Sequence, residues 1–319
     1  MIKLDLKDKK IIYYLDLNAR QTNSEIAKKV QLSKDAVGYR IKKLEEQGII
    51  RGYNTIVDHA RLGYIFYRAM FKLIDVSPEK LKVLINFLTK HPKVGWVSKL
   101  DGIWNFGFGI WVKSNQEFRD FYFLEFGKKF KKYVKESQIV PMTKFKHYER
   151  SYLIGKDKNP KNEIIEGGEK EKYDETDVKI LKILTKNAKT SLLEIAEKLK
   201  VNSMTIHHRI KRLEKIGIIN GYRVNLNFNI LKKDFYSVKV NMNNLERLED
   251  FEKYVQKLPA TIGIIETVGG YDFDFDIEVD NLEEYYNLIE DLKEKFNFIR
   301  EISYFRNLLN YKVIYMPEV

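Results

Sequence analysis

A stretch of about fifty residues occurs twice in this chain at a constant offset of 169 positions, and nothing else in the sequence narrows the fold so far. The first copy runs from Leu4-Asp5 to Gly52-Tyr53 and ends RIKKLEEQGIIRGY. The second runs from Tyr173-Asp174 to Gly221-Tyr222 and ends RIKRLEKIGIINGY. They align without a gap, and roughly two positions in five are identical.

Each copy spells three short helices. Ile11, Ile12 and Leu15 give the first an apolar face. Thr22-x-x-Glu25 reads as a capping box opening a second helix that holds Ile26, Ala27 and Val30. After a turn over Gln31 and Leu32, Ser33 caps a third helix that buries Val37, Ile41 and Leu44 and stops at Gly48. The second copy repeats these devices with Ser191-x-x-Glu194, Asn202, Ile206, Ile210, Leu213 and Gly217. The pattern predicts two helix-turn-helix modules, hence double-stranded DNA as partner. The non-core face of the third helix then carries the contacts: Ser33, Lys34, Asp35, Tyr39, Lys42 and Lys43 in the first copy. In the second they are Asn202, Ser203, Thr205, His207, His208, Lys211 and Arg212. Arg40 and Arg209 belong to this set if they touch phosphate, and leave it if they bridge to a neighbouring acid. The reading residues differ between copies while the buried ones agree, so the target need not be palindromic.

The net charge of +12 is uneven: +5 over 1–62, +9 over 63–154, +5 over 173–225 and −7 over 226–319. Basic helical modules suit a phosphate partner. With no cysteine there is no disulfide or thiolate site. No apolar run approaches the ~18 residues of a membrane helix, so a cytoplasmic protein without a membrane partner is expected.

The run LDLKDKKII…NAR…EIAKKVQLS…RIKKLEEQGIIRGY closely resembles the Lrp/AsnC (feast/famine) transcription regulators. That resemblance implies an α+β fold: two winged helix-turn-helix domains, each followed by a ferredoxin-like βαββαβ effector (RAM) domain. Residues 1–62 and 173–229 are then the DNA-binding domains, 63–154 and 230–319 the effector domains, and 155–172 a charged linker. In the first effector domain, strands are expected at Phe66–Ile74, Val94–Leu100, Trp104–Lys113 and Ile139–Leu153, with helices from Ser77 to Thr89 and from Gln116 to Tyr133. The second has counterparts at Phe235–Val240, Leu248–Leu258, Ile262–Val268, Tyr271–Asp280, Leu282–Phe296 and Ile299–Tyr315. The family's hairpin bordering its ligand site is kept as Gly269-Gly270-Tyr271-Asp272, which implies an amino-acid-like or other small-molecule effector there. The same residues also read as a plain tight turn. The first copy departs with Asp101-Gly102-Ile103-Trp104-Asn105.

In 271–280, Asp272, Asp274, Asp276, Glu278 and Asp280 alternate with apolar residues and fall on one face of a strand. That face is either solvated or aimed at a partner sheet; a hard cation is a third reading. Arg68 and Lys72, with Lys144, Lys146 and Arg150, form a basic complement in the first half. Opposite charge therefore predicts an intrachain pseudo-dimer of effector domains. The apolar surface that the family resemblance implies adds a further homodimer of whole chains. The run Lys128, Lys129, Lys131, Lys132 and Lys135 is a solvated helix face or a track for flanking DNA.

No nucleophile–base pair, Gly-x-Ser-x-Gly elbow or phosphate loop is present, and the five histidines are scattered. No catalytic residue, metal or cofactor is expected. A second resemblance in architecture, to siroheme decarboxylases, casts His147, Tyr148 and Arg150 as acid or propionate-binding groups.

Overall fold

The computed structural model describes residues 4–318, so residues 1–3 and 319, at the outer ends of the first and last expected domains, lie outside the described residues. The first copy folds as α1 (Leu6–Leu17), α2 (Asn23–Val30), α3 (Lys34–Glu46) and a strand β1 (Ile50–Val57). The Thr22–Glu25 capping box is complete, and Ser33 accepts a hydrogen bond from the Ala36 N–H. Gly48 stops α3 at φ +70°, a left-handed conformation that L side chains rarely adopt. Asp5 and Asp8 form a further capping box on α1 that the sequence reading missed.

Next come β2 (Ile65–Leu73), α4 (Pro78–Lys90), β3 (Val94–Gly102) and β4 (Phe106–Val112). The helix expected over 116–133 is present as α5 (Asn115–Asp120), a π turn over Phe121–Gly127, α6 (Lys128–Phe130) and a 3-10 turn. The last strand of this half, β5 (Val134–His147), starts five residues before the expected position and ends before Arg150. The segment 155–172 is more than a linker: β6 (Ile164–Glu166) pairs antiparallel with the end of β5.

The second half runs α7 (Glu175–Lys186), α8 (Leu192–Leu199), α9 (Ser203–Lys215), β7 (Ile219–Leu226) and a single turn α10 (Phe228–Leu231). It continues with β8 (Asp234–Met242), α11 (Leu248–Val255), β9 (Thr261–Thr267), β10 (Phe273–Val279), α12 (Leu282–Lys295) and β11 (Ile299–Val313).

Two unions join the halves. The wings β1 and β7 pair antiparallel, and both helical modules share one apolar core. Hydrogen bonds repeat across the pseudo-twofold: Ala19 N–H donates to the Tyr222 carbonyl and Ala188 N–H to that of Tyr53, both at 2.8 Å. The effector strands, meanwhile, run in the order β2-β4-β3-β11-β8-β10-β9-β5, and β5 pairs back onto β2. The result is a closed antiparallel ring in which β11 of one half pairs with β3 of the other, and β5 with β9. Closure removes the edges that either four-stranded sheet would expose alone. The helices pack outside over two aromatic-rich cores.

Candidate functional site

On α3, Lys34, Asp35, Tyr39, Lys42 and Lys43 are exposed; on α9, Ser203, Thr205, His208, Lys211 and Arg212 are exposed and His207 is half-buried. Two large apolar groups stand out of these faces, Tyr39 at 69% and Met204 at 60% exposure, so neither belongs to the core. Ser33 and Asn202 commit their side-chain oxygens to capping these helices. Arg40 and Arg209 point back to the first helix of their modules. Arg40 Nη1 lies 2.8 and 2.7 Å from Asp5 and Asp8, and Arg209 Nη1 2.8 and 2.9 Å from Asp174 and Asp177. The acid-bridging reading therefore describes both arginines, which brace α3 and α9 against the first helix of each module. Arg212 also donates to Asp177 and to the Lys172 carbonyl.

The Gly269–Asp272 hairpin sits at the surface. Gly269 has φ +79° with nothing within 4 Å of an added Cβ, so backbone conformation alone accounts for this glycine. Asp272 accepts the Met242 N–H at 2.7 Å, and Tyr271 is half-buried.

The carboxylate ladder turns inward. Phe273, Phe275, Ile277 and Val279 pack under the helices, while Asp274, Asp276 and Glu278 are buried inside the ring. Asp272 and Asp280, at its ends, are exposed. Arg68 Nη1 meets Asp274 at 2.7 Å across the two halves, and Lys239 of the second half pairs with the same carboxylate. Lys144 and Lys146 do not reach the ladder: they pair with Glu266 on β9 at 3.4 and 3.2 Å. Burial favours the uncharged form of every group here, and their pairings decide how far each moves. Asp274 is held below the usual aspartate range because Lys239 and then Arg68 outweigh its desolvation. Asp276 is pushed up to about 6 by burial and by the charge of Asp274. Burial lowers Lys239 to about 8.

At the far end of the ladder, Arg150 forks onto Glu278 with Nε–Oε2 2.9 Å and Nη2–Oε1 3.0 Å, and its Nη1 meets Asp16 of α1 at 2.5 Å. Arg223 of β7 donates to Asp16 at 3.2 Å and to the Tyr148 carbonyl at 2.7 Å, and Tyr152 donates to Glu278. One buried cluster thus joins the ring to both helical modules. A second junction centres on Glu166 of β6. His147 Nε2 lies 2.5 Å from it and His59 Nδ1 3.6 Å, and the adjoining N–H groups of Gly167 and Gly168 donate to Asp58. These histidines hold Glu166 at about 2 despite its burial. A cavity of about 250 Å³ opens between the ladder and this junction. Among the described residues there is no metal-ligating cluster of His, Cys, Asp and Glu, and no helix long and apolar enough to cross a membrane.

The winged helix-turn-helix DNA-binding family is matched twice, at residues 4–51 and 173–220. The HTH-type transcriptional regulator LrpA of Pyrococcus horikoshii is 33% identical over 125 residues, which is 87% of that protein and 39% of this chain. The chain belongs to the Lrp/AsnC family. LrpB of Bacillus subtilis is 39% identical over 101 residues, 66% of its length and 32% of this chain. This Lrp/AsnC chain thus carries in tandem what such a relative carries once. The solved siroheme decarboxylase NirDL shares the tandem fold at 17% identity, with a TM-score of 0.65 over 98% of this chain and 94% of that one. Of the residues cast for that chemistry, His147 pairs with Glu166 and lines the cavity, Arg150 pairs with Glu278 and Asp16, and Tyr148 packs in the second effector core of this Lrp/AsnC chain.

Asp276 makes a pH signature for this family member. Its pKa in the fold, about 6, lies above the usual 3.8, so the folded state holds the proton more tightly than the unfolded chain. The stability it contributes is complete below pH ~4 and is lost as pH rises through about 6. Asp276→Asn is therefore expected to stabilise the protein by about 1–3 kcal/mol at pH 8 and to change little at pH 4. Urea unfolding at both pH values checks this, and equal shifts would refute it.

Proposed function

We propose that this chain is a sequence-specific DNA-binding transcription regulator that reads an asymmetric operator with its two non-identical third helices. The observation that carries this reading is the pair α3 and α9. Both are capped and braced by the same devices, and both belong to one body through the shared core and the β1–β7 pairing. Yet their outward faces differ: Lys34, Asp35 and Tyr39 against Ser203, Thr205 and His207/His208. Amino-terminal residues of such a helix reach base edges and later basic ones reach phosphate, so different faces imply different half-sites. A half-site spacing fixed within one chain replaces the symmetry that a dimer of identical subunits imposes on its operator. Binding-site selection from random duplexes tests this: two unlike half-sites are expected, and a perfect palindrome would refute it.

The expected domains 1–62, 63–154, 173–229 and 230–319 remain the natural units of that reading, with the effector hairpin Gly269-Gly270-Tyr271-Asp272 as a surface site for an amino-acid-like ligand. Cytoplasmic location and further pairing of whole chains go with it. The NirDL likeness supports a second reading, a tetrapyrrole decarboxylase. Siroheme added to the protein would then shift its absorption spectrum; an unchanged spectrum alongside selective DNA binding leaves the regulator.

A further inference from the structure

The inside of the ring is built differently on its two sides. Arg68 faces Gly109 across β2–β4 as Ser237 faces Asp276 across β8–β10, and Met70 faces Gly107 as Lys239 faces Asp274. Where the second half has buried carboxylates, the first therefore has glycines. Aromatic rings lie over those glycines: a Cβ on Gly109 would fall 2.1 Å from Phe66, and one on Gly107 2.9 Å from Trp96. Gly95 makes the same allowance for Trp111, at 2.2 Å. The cavity of about 250 Å³ lies between this aromatic wall and the polar one.

Its polar end has unused hydrogen-bonding capacity. Asp276 is only 9% exposed, and among the described residues just one of its oxygens has a partner, the Ser237 hydroxyl at 2.6 Å. Arg68 spends Nη1 on Asp274 and has no other partner among the described residues. Both line the cavity. The charged groups nearly balance, Arg68 and Lys239 against Asp274 and Asp276 at this end and Glu166 held between His59 and His147 at the other, which favours a neutral or dipolar head over a strong ion. The flat walls favour a ring, and the volume is below the usual range for drug-sized ligands.

We infer that this cavity binds a flat aromatic or heteroaromatic molecule, no larger than two fused rings, whose polar head donates to Asp276 and accepts from Arg68. Because its walls come from both halves, the site exists only in the closed ring. The inference goes beyond the DNA-binding reading and does not depend on it.

Calorimetric titration of the full chain with L-tryptophan, adenine and indole tests the site. Tryptophan offers a dipolar head, adenine a donor and acceptor on the ring edge, and indole the ring without an acceptor. One headed probe is expected to bind once per chain at least tenfold more tightly than indole, and which of the two binds identifies the head. Asp276→Asn should weaken that binding at least tenfold. Lys239 donates to the Ser237 oxygen at 2.9 Å, so the Ser237 hydroxyl must donate onward. It holds the Asn carbonyl and leaves an NH2 facing the cavity where an acceptor stood. Ile265→Trp, which fills the cavity, should abolish binding, and cooperative thermal unfolding of both variants confirms that they fold. No heat from either headed probe at millimolar concentration, equal binding of indole, or binding unchanged by Asp276→Asn would overturn the inference. DNA selection, measured separately, stands or falls on its own.

Discussion

Arg150→Met is expected to destabilise the protein by about 3–5 kcal/mol, because it removes one partner from a buried ionic cluster and leaves the others charged. Asp16 is fully buried and Glu278 is 1% exposed, and both lean on this guanidinium. Burial alone would raise the Asp16 pKa, but Arg150 and then Arg223 hold it below the usual value. Its contribution is therefore present above the usual aspartate range and is lost as pH falls through the lowered folded value. In the variant burial is less opposed, so the buried carboxylates take up protons at higher pH and the penalty of leaving them charged is relieved; the difference from wild type should therefore shrink in acid. Urea unfolding from pH 4 to pH 8 would show it. Since Asp16 belongs to α1, Arg223 to β7 and Glu278 to β10, the loss should uncouple the helical modules from the ring before either melts. A variant within 1 kcal/mol of wild type at pH 7 would mean that the cluster is not closed in solution.

Affinity for DNA should fall by a thousandfold or more between 50 and 200 mM salt, if the two modules together make about six or more phosphate contacts. Apart from Arg212, which Asp177 holds, the candidates are the exposed basic residues of these two helices: Lys34, Lys42 and Lys43 on α3, with Lys211 and Lys215 on α9. Alanine at any one should weaken binding to all sequences alike and reduce the salt slope by about one. Arg40→Ala and Arg209→Ala should behave differently. Their guanidinium groups are held by Asp5, Asp8, Asp174 and Asp177, so losing them should lower module stability and leave the slope in place. Fluorescence anisotropy across a salt series separates these classes, and a reduced slope in Arg40→Ala would return that residue to the phosphate contacts.

Local rules made the helical modules legible from sequence. Caps, apolar spacing and the glycines at 48 and 217 all act within a few residues of one another, and the structure keeps each of them except that Ser191 and Glu194 form only half of their capping box. The inward turn of the ladder was one of the alternatives because strict alternation leaves only two faces. Its partners were harder to see. Lys239 is a single cation in an apolar strand, and nothing nearby says that it will sit beside Asp274. Lys144 and Lys146 share a face with the right charge but are spent on β9 before they reach the ladder. The segment 155–172 reads as connector because three residues of strand are too few to show a period; only pairing with β5 makes β6 a strand. The cavity is a product of ring closure, which depends on contacts more than a hundred residues apart. Its glycines at 95, 107 and 109 were in view but silent until the rings above them were placed.

The unlike walls of the ring make the two halves mutually dependent in a one-way sense. A second half severed from the first could meet only its own kind, setting three buried carboxylates against three more. A first half meeting itself would lay one set of large rings on another. Neither fragment is equipped to go back to life as a symmetric pair. What joins them is therefore closer to a lock and its one key than to two copies of a part, and a change at Arg68 or Asp274 is felt on both sides of the ring.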